Sequence, residues 1–409
     1  MKKILFENIV VEDDKIGIDL KTEDDAAIDE ELFFEFSNKV TLTDDILAVA
    51  LCTLCGQKYD YIYMDLDISE DVFQTIVDYT NSVLEVNNVL FKKCAKNEGN
   101  ELALLFSGGL DSLSVYSLLK NQNIMPLNIM SLDFGGVFAR EELFFRYFVP
   151  HTIRTNFVSL KLNRNSSTFM YVPAILLSKT LNIKYNIIGD IFEAENHLCK
   201  RGDDCMLRPL DISSIPLILG LTEVGTAMVS AYYSPELISF SLKSLAAFGG
   251  NKYLRKQFFV DIISEKYGID LVYERMDGSN SVPFGKFFWI DFYSFYLVKN
   301  KGFEEASKLI ENMPESIIDI SNELSLNFYE RFNPLYLDEI PESLRPIFLE
   351  RLAMASVYPY DANDFYEIDL IFKELKRHHK DVVIDIFDEG RYEKCRKLFE
   401  SNIVFGSED

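Results

Sequence analysis

The run Ser107-Gly108-Gly109-Leu110-Asp111-Ser112 gathers two glycines, two hydroxyls and one carboxylate. Glycines let a backbone turn sharply and approach a ligand closely. The first turn of a following helix presents N–H groups and the positive end of its dipole, a fixed site for anions. A carboxylate there repels an anion unless a cation lies between, so Asp111 implies a bridging Mg²⁺. The expected ligand is a metal-bound polyphosphate, with Ser107, Gly108, Gly109, Leu110 and Ser112 around it. In the alternative reading, Asp111 or Ser112 merely caps a helix after an ordinary turn. No lysine follows the glycines and no G-x-G-x-x-G is present, so neither a Walker loop nor a dinucleotide fingerprint is at hand.

Such a turn needs a strand before it and a helix after it. The apolar run Leu102–Phe106 reads as a strand buried on both faces, and Leu113–Lys120 as the helix. Ile124 to Leu132 reads as a second strand, Val172 to Thr180 as a helix and Lys184 to Gly189 as a third strand with Asp190 at its end. This alternation predicts an α/β fold built on a doubly wound, mostly parallel sheet, which binds ligands at the carboxyl ends of its strands.

Ser107 to Ser112 resembles the pyrophosphate loop of the N-type ATP pyrophosphatases, the PP-loop superfamily. The resemblance implies ATP as cofactor and cleavage between its α- and β-phosphates: a substrate oxygen attacks the α-phosphate, Mg-pyrophosphate leaves, and a nitrogen or sulfur nucleophile displaces AMP. It assigns Leu132, Asp133 and Phe134 to the adenine, Gly189 to the nucleotide, and Asp111 with Asp190 and Glu193 to the metal. Ser234-Pro235-Glu236-Leu237, Lys252-Tyr253-Leu254-Arg255 and Val282-Pro283 through Trp289 follow in the order of the asparagine synthetase synthetase domain, so residues 100–300 resemble that branch. Lys252 and Arg255, three apart, share a helix face and are candidate catalytic cations at the α-phosphate. Their alternative is ordinary solvated charge.

The chain departs from that branch at Ala194, where a second acid is usual, and at Asp277–Ser281, which lacks a basic residue. Residue 2 is Lys and the first cysteine is Cys52, so a separate nitrogen donor or partner protein is expected. Arg164-Asn165 echoes the 7-cyano-7-deazaguanine synthase branch, which acts on a deazapurine or, in some relatives, tailors a protein. That branch carries a zinc-binding cysteine cluster absent here. A PP-loop scaffold that binds nucleotide without turnover is the other alternative.

The 409 residues predict a small α+β domain over 1–95, a PP-loop domain over 100–300 and a helical region over 301–409. Lys3 to Val11 and Lys15 to Leu20 read as paired strands, the stretch capped by Ser69 as a helix to about Leu84, Cys94 to Asn100 as a linker and Phe303 to Met313 as a helix. The net charge of −24 argues against nucleic acid as a partner. The substrate is expected to be a small molecule, peptide or protein, and the helical region to pack on the catalytic domain or form a homo-oligomer contact. No signal peptide is evident, Ile212 to Tyr233 reads as core rather than membrane span, and scattered cysteines fit a reducing cytoplasm. Cys52 and Cys55 lie in an apolar helical pattern and read as core. Cys199 and Cys205, flanking a polar loop near His197, lack a fourth metal ligand.

Overall fold

A computed structural model describes residues 1–24, 27–96, 98–135, 144, 147, 148, 150–192, 201–244 and 248–380, with backbone alone for 201–204. Lys3–Val11 (β1) and Lys15–Glu23 (β2) carry apolar residues at alternate positions, which sets one face of each in the core. They pair antiparallel, Phe6 opposite Leu20. Asp29–Phe36 (β3) pairs with β2 and buries Leu32, Phe34 and Phe36. Tyr61–Ser69 (β4), Val83–Leu90 (β5), Glu101–Leu105 (β6), Leu127–Asp133 (β7), His151–Thr155 (β8), Ile183–Ile187 (β9) and Ser213–Ile215 (β10) complete one ten-stranded sheet in the order β10-β9-β6-β7-β8-β3-β2-β1-β4-β5. Pairing is antiparallel at β8–β3, β3–β2 and β2–β1 and parallel at the other junctions.

The sheet runs across the boundary expected between residues 95 and 100. Phe34, Glu35 and Phe36 of β3 pair with Thr155, Arg154 and Ile153 of β8, so the strands of residues 3–90 and those of 101–215 share one hydrogen-bonded sheet. Contacts divide the described residues into two compact units, 1–108 with 119–188 and 201–215, and 109–118 with 189–192 and 216–380.

Helices α1 (Asp44–Cys55), α2 (Glu70–Thr80), α3 (Leu110–Leu119) and α4 (Val172–Leu176) follow β3, β4, β6 and β8 in the chain. Thr43 caps α1, and every residue from Asp45 to Cys55 is buried, as befits a helix apolar all round. Cys52 and Cys55 are therefore core, and burial pushes both thiols up. Asn81, in the left-handed conformation, ends α2 well before the expected Leu84, and β5 begins at Val83. α4 likewise stops short of Thr180.

The second unit is helical: α5 (Glu223–Tyr233), α6 (Ile238–Ser244), α7 (Asn251–Tyr267), α8 (Phe288–Phe292), α9 (Ser294–Lys301), α10 (Phe303–Ser307), α11 (Glu315–Glu323), α12 (Arg345–Met354) and α13 (Ala362–His378). Phe292, Tyr293, Phe328, Tyr329 and Phe372 pack as its aromatic core. The helix expected over Phe303–Met313 breaks after Ser307, where Ile310–Glu311 (β12) pairs with Val282–Pro283 (β11). Among the described residues no helix is long and apolar enough to cross a membrane, and Leu217 to Leu221 are buried as expected of core.

Candidate functional site

In the first unit, β6 ends at Leu105 and the chain turns through Ser107 and Gly108, whose φ of 76° suits glycine. Beside it, β7 runs parallel with Met130 opposite Leu105, which brings Leu132 and Asp133 to the same strand ends as Ser107. Asp133 Oδ1 accepts the Gly135 N–H at 2.7 Å, and Phe134 packs edge-on against Phe157 at 4.9 Å between ring centroids. Two of the three expected adenine contacts, Asp133 and Phe134, thus have structural work of their own. Ser131 Oγ is buried there with no hydrogen-bond partner among the described residues.

The second unit begins at Gly109, whose carbonyl accepts the Leu113 N–H at 2.9 Å and so starts α3. The Ser112 hydroxyl donates to that carbonyl at 3.0 Å and is buried, so it is engaged within its own turn. Gly189 lies against this turn: a Cβ placed on it would sit 3.8 Å from Ser112 N and 4.0 Å from the Asp111 carbonyl carbon. Asp190 follows it directly, while Glu193, Ala194, His197 and Cys199 lie outside the described residues.

A stripe of α5 holds the start of α3 in place. The Thr226 hydroxyl lies 3.0 Å from Asp111 Oδ1 and 3.1 Å from the Glu223 carbonyl, and the Ser230 hydroxyl donates to the Leu110 carbonyl at 3.1 Å. One turn on, Ser234 Oγ meets Ser117 Oγ at 3.0 Å. Residues four apart share a helix face, so these three hydroxyls make one polar seam against α3. Thr222 caps α5 by accepting from the Val224 and Gly225 N–H groups, which fixes the first turn that carries Glu223.

α7 supplies the cations. Arg255 grips Glu223 through two parallel hydrogen bonds, Nε to Oε2 at 3.0 Å and Nη2 to Oε1 at 2.7 Å, with both side chains 13% exposed. Lys252 lies three residues before Arg255 and four before Lys256, so it neighbours each of them along the helix. Burial raises the Glu223 carboxyl, but the charges of Arg255 and Lys256, the Arg255 hydrogen bonds and the charge of Lys252 outweigh it and hold the group below its ordinary value. Burial, then repulsion from Lys256, pushes the Lys252 ammonium down, while Glu223 and Asp111 oppose the shift. Three cations thus surround two carboxylates, a local positive excess in a chain of net charge −24.

Asp111, Ser112, Gly189, Lys252 and Arg255 therefore gather in the second unit, and Glu223, Thr226 and Lys256 join them although their spacing in the sequence did not announce it. No group of three or more His, Cys, Asp or Glu is arranged to hold a metal among the described residues. The donor set at Asp111 still fits Mg²⁺, which takes one or two carboxylates and completes its shell with water and phosphate oxygens. Neither a family model, a curated protein nor a solved structure matches this chain.

Proposed function

We propose that this chain is a PP-loop ATP pyrophosphatase that adenylates a carboxylate or carbonyl oxygen and passes the product to a nitrogen nucleophile, in the manner of asparagine synthetases. In this reading the sheet is the doubly wound core of that family, with ATP and Mg²⁺ as cofactors, a small-molecule, peptide or protein substrate, a separate nitrogen donor and a cytoplasmic setting. The observation that carries it is Asp111 in the first turn of α3, held by Thr226 and close enough to the α7 cations to act on Lys252.

The first-turn N–H groups of α3 would take pyrophosphate oxygens, and Asp111 would hold the Mg²⁺, which supplies charge neutralisation when bound. Lys252 faces the charge that develops on the α-phosphate, where fixed cations lower a phosphoryl-transfer barrier most. The substrate oxygen forms a bond to the α-phosphorus as the bond to the pyrophosphate oxygen breaks. The nucleophile's nitrogen then bonds to the carbonyl carbon, loses a proton and releases AMP with the substrate's oxygen. A second reading, a scaffold that binds nucleotide without turnover, is favoured by one observation: Arg255 already spends two donors on Glu223.

Exchange of labelled pyrophosphate into ATP, run with pooled amino acids, peptides and other carboxylates, tests the reading. Exchange that requires substrate and is abolished in Asp111→Asn, with the thermal transition unchanged, is the expected result. Exchange undiminished in Asp111→Asn removes that residue from the mechanism. Nucleotide binding without exchange selects the scaffold.

A further inference from the structure

A cavity of about 660 Å³ in the first unit opens at the carboxyl ends of the parallel strands β4 and β5. That is the end of an α/β sheet at which ligands bind, and the volume falls within the range of small-molecule sites. Its floor is apolar, formed by Ile46, Leu90, Cys94 and Leu210, and the capped start of α1 borders it.

Its charges are unevenly committed. Lys92, Lys93, Lys96 and Lys179 line the cavity and are exposed, and their ammonium groups make no ion pair or hydrogen bond with any other described residue. Four carboxylates line it too, but three already serve protein donors. Asp44 accepts the Asp67 N–H at 2.9 Å, Asp45 accepts the Ser69 N–H at 2.7 Å and the Ser69 hydroxyl at 2.9 Å, and Asp67 accepts the Asn88 amide at 2.8 Å. Formal charge balances in the cavity of a strongly acidic chain, and the ammonium groups have no other partner there. The segment bearing three of the lysines is held along its length, starting at Lys92, whose carbonyl accepts the Glu70 N–H at 3.3 Å. Cys94 is buried with its N–H on Asp71 at 2.9 Å, and a Cβ on Gly99 would lie 2.0 Å from the Asn182 carbonyl oxygen. Cys94, Ala95, Lys96 and Glu98, within the stretch expected to be a linker, line this cavity.

We propose that the cavity is a binding site for an organic phosphate, whose anionic head takes the four lysines and whose apolar or ring portion covers the floor. Lysine binds phosphate as a mobile point charge, so several on one rim suit a multiply charged head. The site is distinct in its residues from the proposed pyrophosphatase site. The phosphate ester of a nucleotide and that of a sugar share this chemistry, so both serve as probes.

Calorimetric titration of the full chain with AMP, glucose 6-phosphate and inorganic phosphate at low ionic strength is paired with amine-acylation footprinting read by mass spectrometry. The proposal expects saturable binding of at least one ester, at least about tenfold tighter than inorganic phosphate. That ester should protect Lys92, Lys93, Lys96 and Lys179. Replacing all four lysines with glutamine should weaken it at least about tenfold, with an unchanged melting curve since all four are exposed. Absence of saturable ester binding, inorganic phosphate binding as tightly as the esters, affinity unchanged in the four-lysine variant, or protection confined to Lys252 would each overturn it.

Discussion

Glu223 is the residue on which the cationic face of α7 depends. Its carboxylate takes two hydrogen bonds from Arg255 and is held below its ordinary pKa by charges that would otherwise face one another. Removing it leaves Arg255 and Lys256, both largely buried, short of a counter-charge. Glu223→Gln should therefore destabilise the protein by about 3 kcal/mol near neutral pH, as breaking a buried pair does. Since the folded-state value lies below the unfolded one, the pair's contribution is complete above the unfolded pKa and is lost as pH falls through the folded value. Urea unfolding across an acid series should show the wild type and variant converging as the pH drops; a gap independent of pH would assign the loss to packing. Spacing alone made Lys252 and Arg255 legible as neighbours, because a three-residue step on a helix fixes one face. Glu223, 32 positions earlier, was not legible, since only the packing of α5 on α7 brings it to Arg255.

The α3–α5 seam carries the argument at the level of elements. Thr226, Ser230 and Ser234 turn hydroxyls toward a helix whose facing side offers Asp111, the Leu110 carbonyl and Ser117. Small polar residues let the two helices lie close, and Ser230 is fully buried. Ser230→Leu should overfill the seam and cost about 1–3 kcal/mol. It should also displace Asp111 and so lower pyrophosphate exchange; full exchange with lost stability would detach the seam from the site. The four-residue repeat is visible in the sequence, but not the helix it faces. Strands were legible where alternation was clean, as in β1 and β2. β3 was not, because Asp29, Glu30 and Glu31 open it with three acids and mask the buried Leu32, Phe34 and Phe36. β5 was hidden because Asn81, the residue whose left-handed backbone ends α2, was read as helix interior.

Across the whole molecule, two groups of neighbouring cations stand out in a chain of net charge −24. Lys252, Arg255 and Lys256 form one cluster, and Lys92, Lys93, Lys96 and Lys179 line the cavity of the first unit. The α/β class was legible from the alternation of apolar strands and helices over residues 100–190. The single sheet spanning residues 3–215 was not, since the β3–β8 pairing joins segments more than a hundred residues apart and antiparallel to each other. Local pattern reveals elements, whereas partners across the sheet are chosen by burial of whole faces. A chain that is the proposed pyrophosphatase breaks ATP between its α- and β-phosphates. Phosphorus NMR of MgATP incubated with the protein, pooled carboxylates and an ammonium source reads the products directly. AMP and pyrophosphate in equal amounts, dependent on substrate and on Asp111, are the expected products; ADP and inorganic phosphate would overturn the proposed function.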